Sequence, residues 1–510
     1  IRARAPSWTY RSGRFIRRNR ALSAAVAVVF VALVTATIIS TLAAQRARVA
    51  LAQAQARANE LTAVNGFMER MLTAADPEQA QGRDLRVRDI LDVAAADLGS
   101  AQLSPSAVAR LQQTLGVTWL GLGDGTRAGD VFTAALAHVD LPAQQRDELL
   151  LGRARSAIMR GDYSGADKQL EQLRSRRGTL PPSLQIAIDE STAELFRESG
   201  KQKQAVAVLR QVLPQARKQF GADSQRSLGL QLQLSSALQL DGDYAGALEV
   251  IGEAATRLER VLGAKHPQTL YAWNQLGIVE NKLGHADAAE AAFRRAAQGR
   301  LAVLGEHHPA TVMSQFNLGS FLIEHGNAKD GVPMVQQASA WFDANRPDGD
   351  SKALVARNVL AYGLEDLGDL ESAERMLRSI LATQERLGGP GAADTYAPRN
   401  NLGMLLMKRG RYVDALAEFD TLSQQVQQRL GADHPFAAIF ASNRGECLAK
   451  LGRLDDARRV LEDSHARLLK RFGGEHARTR TAAQRLADVY ARMGMTAQAQ
   501  AMRLAATSNQ

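Results

Sequence analysis

Three His-Pro pairs recur along the chain, His266–Pro267, His308–Pro309 and His434–Pro435, and His307 adjoins one of them. Imidazoles at regular spacing are potential metal ligands. Each pair, however, stands at one phase of a 42-residue period, just ahead of a helix-forming stretch. There proline is tolerated in the first turn and its neighbour acts near the N-cap. Adjacent repeats would set these histidines about 10 Å apart, a helix-packing distance that is too long for shared coordination. A structural role follows, with no metal expected. "GLGDG" at 121–125 looks like a phosphate-cradling loop but lacks the Lys-Ser/Thr that a P-loop requires. "RGD" at 160–162 falls at the equivalent place one repeat later, and both are assigned to turns. Cys447 is the one cysteine, so no internal disulfide can form, and a small buried apolar residue is expected there. No Ser-His-Asp set, paired-carboxylate site or Cys/His cluster stands out, so neither a catalytic residue nor a cofactor is assigned.

The elements that carry these residues are set by glycine. It recurs at Gly123, Gly161, Gly200, Gly242, Gly284, Gly326, Gly368, Gly410, Gly452 and Gly494, in steps of 38 and 39 and then seven steps of 42. A small residue follows each glycine by five positions (Ala247, Ala289, Gly331, Ala373), and another precedes it by seven (Ser235, Gly277, Gly319, Ala361, Gly403). The intervening stretches, such as "DAAEAAFRRAAQGRLAVLG", are helix formers with apolar residues at three- and four-residue spacing. A glycine between two such helices suits a turn that needs positive φ, and small residues on either side let the helices approach closely. Each unit is therefore a helical hairpin that buries its apolar face only by stacking on its neighbours. The expected fold is all-α: a right-handed α-solenoid of about ten hairpins over residues 102–505.

Charge places the rest. Residues 1–59 hold ten arginines and no Asp, Glu or Lys; removing them from the 63 basic residues leaves 53, equal to the 53 acidic ones. The net charge of +10 thus sits entirely beside an uncharged run at 21–44. That distribution is a membrane signature, and no nucleic-acid partner is expected. As a helix the run would extend about 36 Å, enough for a single crossing of a bilayer. The expected order is a basic stub (1–20), a transmembrane helix (21–44), a helical stalk and connector (45–101) and the repeat array. Seven arginines lie before the span, which puts the N-terminus in the cytoplasm and the array across the membrane.

The repeats resemble the tetratricopeptide repeat in its 42-residue, kinesin-light-chain-type form. The likeness is carried by "LGAKHPQTLYAWNQLGIVENKLGHADAAEAAFRRAA" (262–297), "LGEHHPATVMSQFNLGSFLIEHGNAKDG" (304–331) and "LGADHPFAAIFASNRGECLAKLGRLDDARRVL" (430–461). It implies a groove lined by the first helix of each hairpin, and the matching positions here are Asn274, Asn281, Lys282, Asn358, Tyr362, Asn400, Lys408 and Lys450. Asparagines in series can pair with the backbone of an extended peptide, while lysines meet acidic groups; a protein or peptide ligand is expected, with self-association as a further possibility. Phe316 interrupts the asparagine series. The front, "RARAPSWTYRSGRFIRRNR" before an apolar run, resembles the juxtamembrane link of bacterial serine/threonine protein kinases that carry such arrays beyond the inner membrane. That resemblance implies a C-terminal, periplasmic sensor or scaffold half whose kinase domain would precede Ile1. Kinase motifs themselves (a glycine-rich loop with V-A-I-K, H-R-D, D-F-G) do not occur in these 510 residues. The competing expectation is a stand-alone anchored scaffold for envelope protein assembly.

Overall fold

A computed structural model describes residues 18–73, 87–98 and 104–507 apart from 140, 390, 432 and 433, with isolated positions before 18. Among the described residues there are 22 α-helices and no strand. The chain forms two compact units, Ile1–Val208 and Leu209–Gln510. The division falls close to Gly200, where the glycine step lengthens from 39 to 42 residues.

In the first unit, α1 (Arg20–Thr73) is one unbroken helix of 54 residues, about 81 Å long at 1.5 Å per residue. No break separates the expected span from the expected stalk. The stretch long and apolar enough to cross a membrane is Val28–Leu51, later than the uncharged run at 21–44 and including Arg46 and Arg48. Val29, Phe30, Leu33 and Ile39 on it are all exposed. Helix α1 ends at Thr73, and residues 74–86 of the expected connector lie outside the described residues. Helix α2 (Val87–Asp97) lies within the expected connector. It buries Leu91 and Ala94 with Trp119 and Phe132 of the first hairpin, α3 (Pro105–Gly121) and α4 (Gly125–Leu136). Its Arg88 donates to the Leu122 carbonyl, and Asp92 pairs with Arg127 at 2.9 Å. So α2 seals the apolar end of the hairpin stack. The next hairpin is α5 (Ala143–Met159) with α6 (Tyr163–Arg174), and the third opens with α7 (Pro182–Glu198).

The turns form as the glycine column implies. All ten column glycines have φ between 74° and 85°, a conformation that costs an L side chain about 1 kcal/mol or more. "GLGDG" and "RGD" are two of these turns: Asp124 and Asp162 cap the following helices by accepting from the backbone N–H of Arg127 and Gly165.

In the second unit the hairpins run α9 (Gln225–Asp241) and α10 (Tyr244–Leu262), α11 (Pro267–Lys282) and α12 (Ala286–Leu304), α13 (Pro309–Glu324) and α14 (Ala328–Asn345). They continue with α15 (Ser351–Asp366) and α16 (Leu370–Gly388), α17 (Tyr396–Lys408) and α18 (Tyr412–Leu430), α19 (Pro435–Lys450) and α20 (Leu454–Phe472), α21 (Ala477–Arg492) and α22 (Thr496–Thr507). Counted from the first turn glycine, these are repeats 4 to 10, each with a helix A and a helix B; helix α8 (Gln202–Phe220) is helix B of repeat 3. A second column of positive-φ glycines, including Gly263, Gly305, Gly431 and Gly473, ends the B helices.

The small residues seven before each turn are sites of contact between helices. A Cβ added to Gly277 would lie 2.7 Å from the Phe293 ring, and one on Gly403 would lie 2.7 Å from Phe419. Both phenylalanines stand nine residues after their turn glycines. Where the small residue is larger, as at Ser235 and Ala361, the opposing residue is Ile251 or Leu377. The partner varies in size, since a Cβ on Gly445 would meet Leu461 at 2.6 Å and one on Gly319 would meet Val335 at 2.9 Å, and in each case the small residue makes room for close packing. The histidines cap as expected: the Nδ1 atoms of His266, His308 and His434 accept from the backbone N–H two residues on, at 3.1–3.2 Å, and His476 does the same. Cys447 is buried, donates to the Tyr412 carbonyl and has its thiol pushed up to about 11 by burial.

Candidate ligand-binding face

The A helices of the second unit present the residues singled out in the sequence, and most of those residues are tied to neighbouring repeats. Asn274 is buried, and its Oδ1 accepts from Asn317 Nδ2 at 3.0 Å. Asn358 accepts from Asn401 at 3.4 Å, and Asn400 from Asn443 at 2.7 Å. Each bond joins the residue ten before one turn glycine to the residue nine before the next, 43 positions on. Arg485 continues the series in repeat 10, donating to Ser442 Oγ and Asn443 Oδ1. A bond between charged or amide groups on successive A helices fixes their register while leaving part of each amide free to act elsewhere. Asn281 donates to Glu324 and meets His325 Nε2 at 2.9 Å. Lys408 pairs with Glu365 at 3.1 Å. Lys282 and Lys450 are exposed and hold no ion pair among the described residues. Tyr362 is 48% exposed; partial burial and the Glu365 carboxylate push its phenol above the ordinary tyrosine value.

The partner asparagines Asn317, Asn401 and Asn443 were not among the expected site residues. Their signal is present in the sequence, since each stands two residues before a small-column glycine, in "NLG", "NLG" and "NRG". What the sequence hides is that the pair forms between repeats.

Between α15 and α17 lies an open cleft of about 530 Å³. Val355 and Asn358 form one wall, Ala397 and Pro398 the other, and Gln384 of α16 lies at its base. Gln384 Oε1 is buried with no hydrogen-bond partner among the described residues, a state that costs about 1–3 kcal/mol unless a donor arrives. Val355 at its rim is 52% exposed. Apolar rim, amide wall and orphan acceptor together suit an extended backbone, whose N–H groups donate and whose side chains need apolar cover.

A second cleft, between repeats 8 and 9, is different. It encloses about 500 Å³ among α18, α19 and α20 and is lined by Arg444, Arg453, Arg459 and Arg467 with Asp456 and Asp463. Its charges are consumed internally: Arg453 and Arg459 share Asp456, and Arg444 pairs with Asp420 at 2.5 Å. No group of three metal-ligating side chains occurs among the described residues.

Comparison with known proteins bears on the repeat fold. The tetratricopeptide repeat family model matches residues 226–302, 394–466 and 436–506, and a second tetratricopeptide repeat model matches 354–379. Among solved structures, the apo form of the quorum sensor NprR from B. thuringiensis is similar over 70% of this chain and 97% of its own, at 15% identity and a TM-score of 0.51. BtubC (BKLC) from P. vanneervenii is similar over 50% of this chain and 94% of its own, at 18% identity and a TM-score of 0.36. The clustered mitochondria protein homolog of Aspergillus fumigatus is 24% identical over 151 residues, 29% of this chain. The chain spans only 11% of the length of that curated relative. The hairpins at 226–302, 354–379 and 394–506 match tetratricopeptide repeat models, and the hairpins form an α-solenoid of that general type.

Proposed function

We propose that this tetratricopeptide-repeat chain is a membrane-anchored interaction module that captures a protein or extended peptide on the A-helix face of repeats 5 to 9. The observation that carries this is the cleft between repeats 7 and 8, where an unsatisfied Gln384 acceptor lies beneath the exposed Val355 and the Asn358 amide. Fold supports the reading: stacked hairpins offer a long regular surface rather than a catalytic constellation. Among the earlier candidates, Asn274, Asn358 and Asn400 would position the ligand from the ladder, Asn281, Lys282, Lys408 and Lys450 would supply polar contacts, and Tyr362 an apolar one.

The anchor rests on Val28–Leu51, its exposed apolar side chains and the arginines before it. In this proposal the N-terminus lies in the cytoplasm of a bacterium and the array in the periplasm. The unbroken α1 would transmit ligand-driven clustering of the arrays to a serine/threonine kinase domain encoded ahead of Ile1. Reading the coding sequence upstream tests that last part: an in-frame kinase domain is expected, and an in-frame stop just ahead of Ile1 would leave a stand-alone scaffold.

The binding face is tested by site-specific photo-crosslinking in cells. A crosslinker at Tyr362 is expected to trap a second polypeptide, and one at Arg459, on the charge-paired side, is not. Equal trapping at both positions, or at neither, would refute the assignment. Reporter fusions at residue 10 and after residue 100 should report opposite sides of the membrane; the same side for both would remove the anchor.

A further inference from the structure

We infer that the junction of repeats 5 and 6 is an acid-reading pocket, in which Arg300 receives the side-chain carboxylate of an Asp or Glu within an extended peptide. It rests on the peptide-binding reading of the A-helix face and names what that face selects.

The residue sixteen after the turn glycine is a core position. From repeat 3 to repeat 9 it is Ala216, Leu258, Arg300, Phe342, Gln384, Val426 and Leu468. The five apolar members are 0–1% exposed. Helix α12 therefore places an arginine where its neighbours place hydrocarbon, and Arg300 is only 7% exposed. Two arginines are buried among the described residues. The other, Arg399, pairs with Glu385 and Glu418. Arg300 pairs with no carboxylate among the described residues; its Nη1 donates to Ser314 Oγ at 2.7 Å and to the Ala310 carbonyl at 3.1 Å, both on α13. Leaving a buried cation without an anion is costly, and sequences keep such a group only where something offsets the cost.

The geometry shows how an anion would enter. Nη1 is held in place by α13, while Nε and Nη2 make no hydrogen bond among the described residues. Two donors on one edge of a guanidinium match the two oxygens of a carboxylate. Tyr271 of α11 is 39% exposed and stands thirteen residues before its turn glycine, the position that Val355 holds two repeats on. Burial holds the Arg300 pKa below the ordinary guanidinium value, so a bound anion would be rewarded. The place is equivalent to the cleft of repeats 7 and 8, with Arg300 standing where Gln384 forms the base there. Repeats continue on both sides, so a ligand passes through, which favours an internal side chain over a chain terminus. Stacked repeats lie about 10 Å apart. An apolar ligand side chain over Val355 or Tyr362 would thus lie about 20 Å, or about six extended residues, from the acidic one.

The test uses the full chain in detergent micelles and a library of random twelve-residue peptides with amidated C-termini. The bound pool from the native chain is expected to be enriched in one Asp or Glu with an apolar residue about six positions away. The pool from Arg300→Leu should lose the acidic preference and keep the apolar one. For a selected peptide, Glu→Gln should weaken binding by about 10- to 100-fold to the native chain and leave binding to Arg300→Leu unchanged. Because leucine suits this core column, Arg300→Leu should raise the melting temperature, so loss of acid selectivity cannot be ascribed to unfolding. Equal acidic enrichment in both pools, or none in the native pool, would overturn the inference while leaving peptide binding intact. Enrichment that appears only in a free-acid library would overturn it in favour of a terminal carboxylate. A native pool no different from that of heat-denatured chain would defeat the peptide-binding reading itself.

Discussion

The two buried arginines occupy junctions built on the same repeat, yet they are handled in opposite ways. At the junction of repeats 7 and 8, Arg399 on α17 is enclosed by Glu385 and Glu418. The network continues through Arg378 to Glu374, which also holds Arg409 and Arg411. At the junction of repeats 5 and 6, Arg300 has only a hydroxyl and a carbonyl. The first junction is also where the repeat is weakest: α17 has 13 residues against 16 in α11, α13 and α15, and no side chain caps its start. Ion pairs there compensate for lost helix and cap. The difference separates a charge kept for architecture, which brings its own counter-ions, from a charge kept for a ligand, which lacks them.

The largest effect should come from removing the counter-ions. Converting Glu385 and Glu418 together to Gln strands Arg399 in the interior and should cost about 3–5 kcal/mol in denaturant unfolding. A cost near zero would erase the contrast with Arg300. Next in size is a control for packing. Gly277→Val and Gly403→Val should each cost about 1–3 kcal/mol, because both drive a methyl group into a phenylalanine ring. Unequal costs would mean that the junctions differ in packing as well as charge. Smaller still is the cap: His308→Ala or His434→Ala should lose about 1 kcal/mol and His→Asn should restore it, since Asn also accepts at the N-cap.

The smallest effect expected is acid sensitivity confined to one junction. Burial alone would raise the Glu374 carboxyl, but Arg378, Arg411 and Arg409 outweigh it and hold its pKa below the ordinary value. A carboxylate depressed in the folded state stabilises above its unfolded pKa, and that stability is lost as pH falls through the folded one. Amide protection factors in α16 and α17 should therefore fall as pH drops below the usual carboxylate range, before those in α11 and α13 do. Simultaneous loss would assign the network no local role.

Much of the scaffold was legible because it repeats. Ten glycines predicted ten positive-φ turns, and the His-Pro pairs predicted helix starts. Periodicity marks what every repeat must do, so it is poor at marking what one repeat does alone. Asn274, Asn358 and Asn400 were legible as a polar series, but their bonds to Asn317, Asn401 and Asn443 depend on stacking that no single repeat encodes. Glu374 and Arg399 lie on different repeats, and nothing in their spacing announces the network. Arg300 is the instructive case: it breaks an otherwise mostly apolar column, and that signal is visible only once the column is known to be buried.

Hydrogen–deuterium exchange of the full chain, with and without a library-selected peptide, examines the proposed binding face most directly. Protection should appear in helices α11, α13, α15 and α17 and leave the charge-paired sides of α18 and α20 unchanged. Protection centred on α18 and α20, or none in the A helices at saturating peptide, would contradict it.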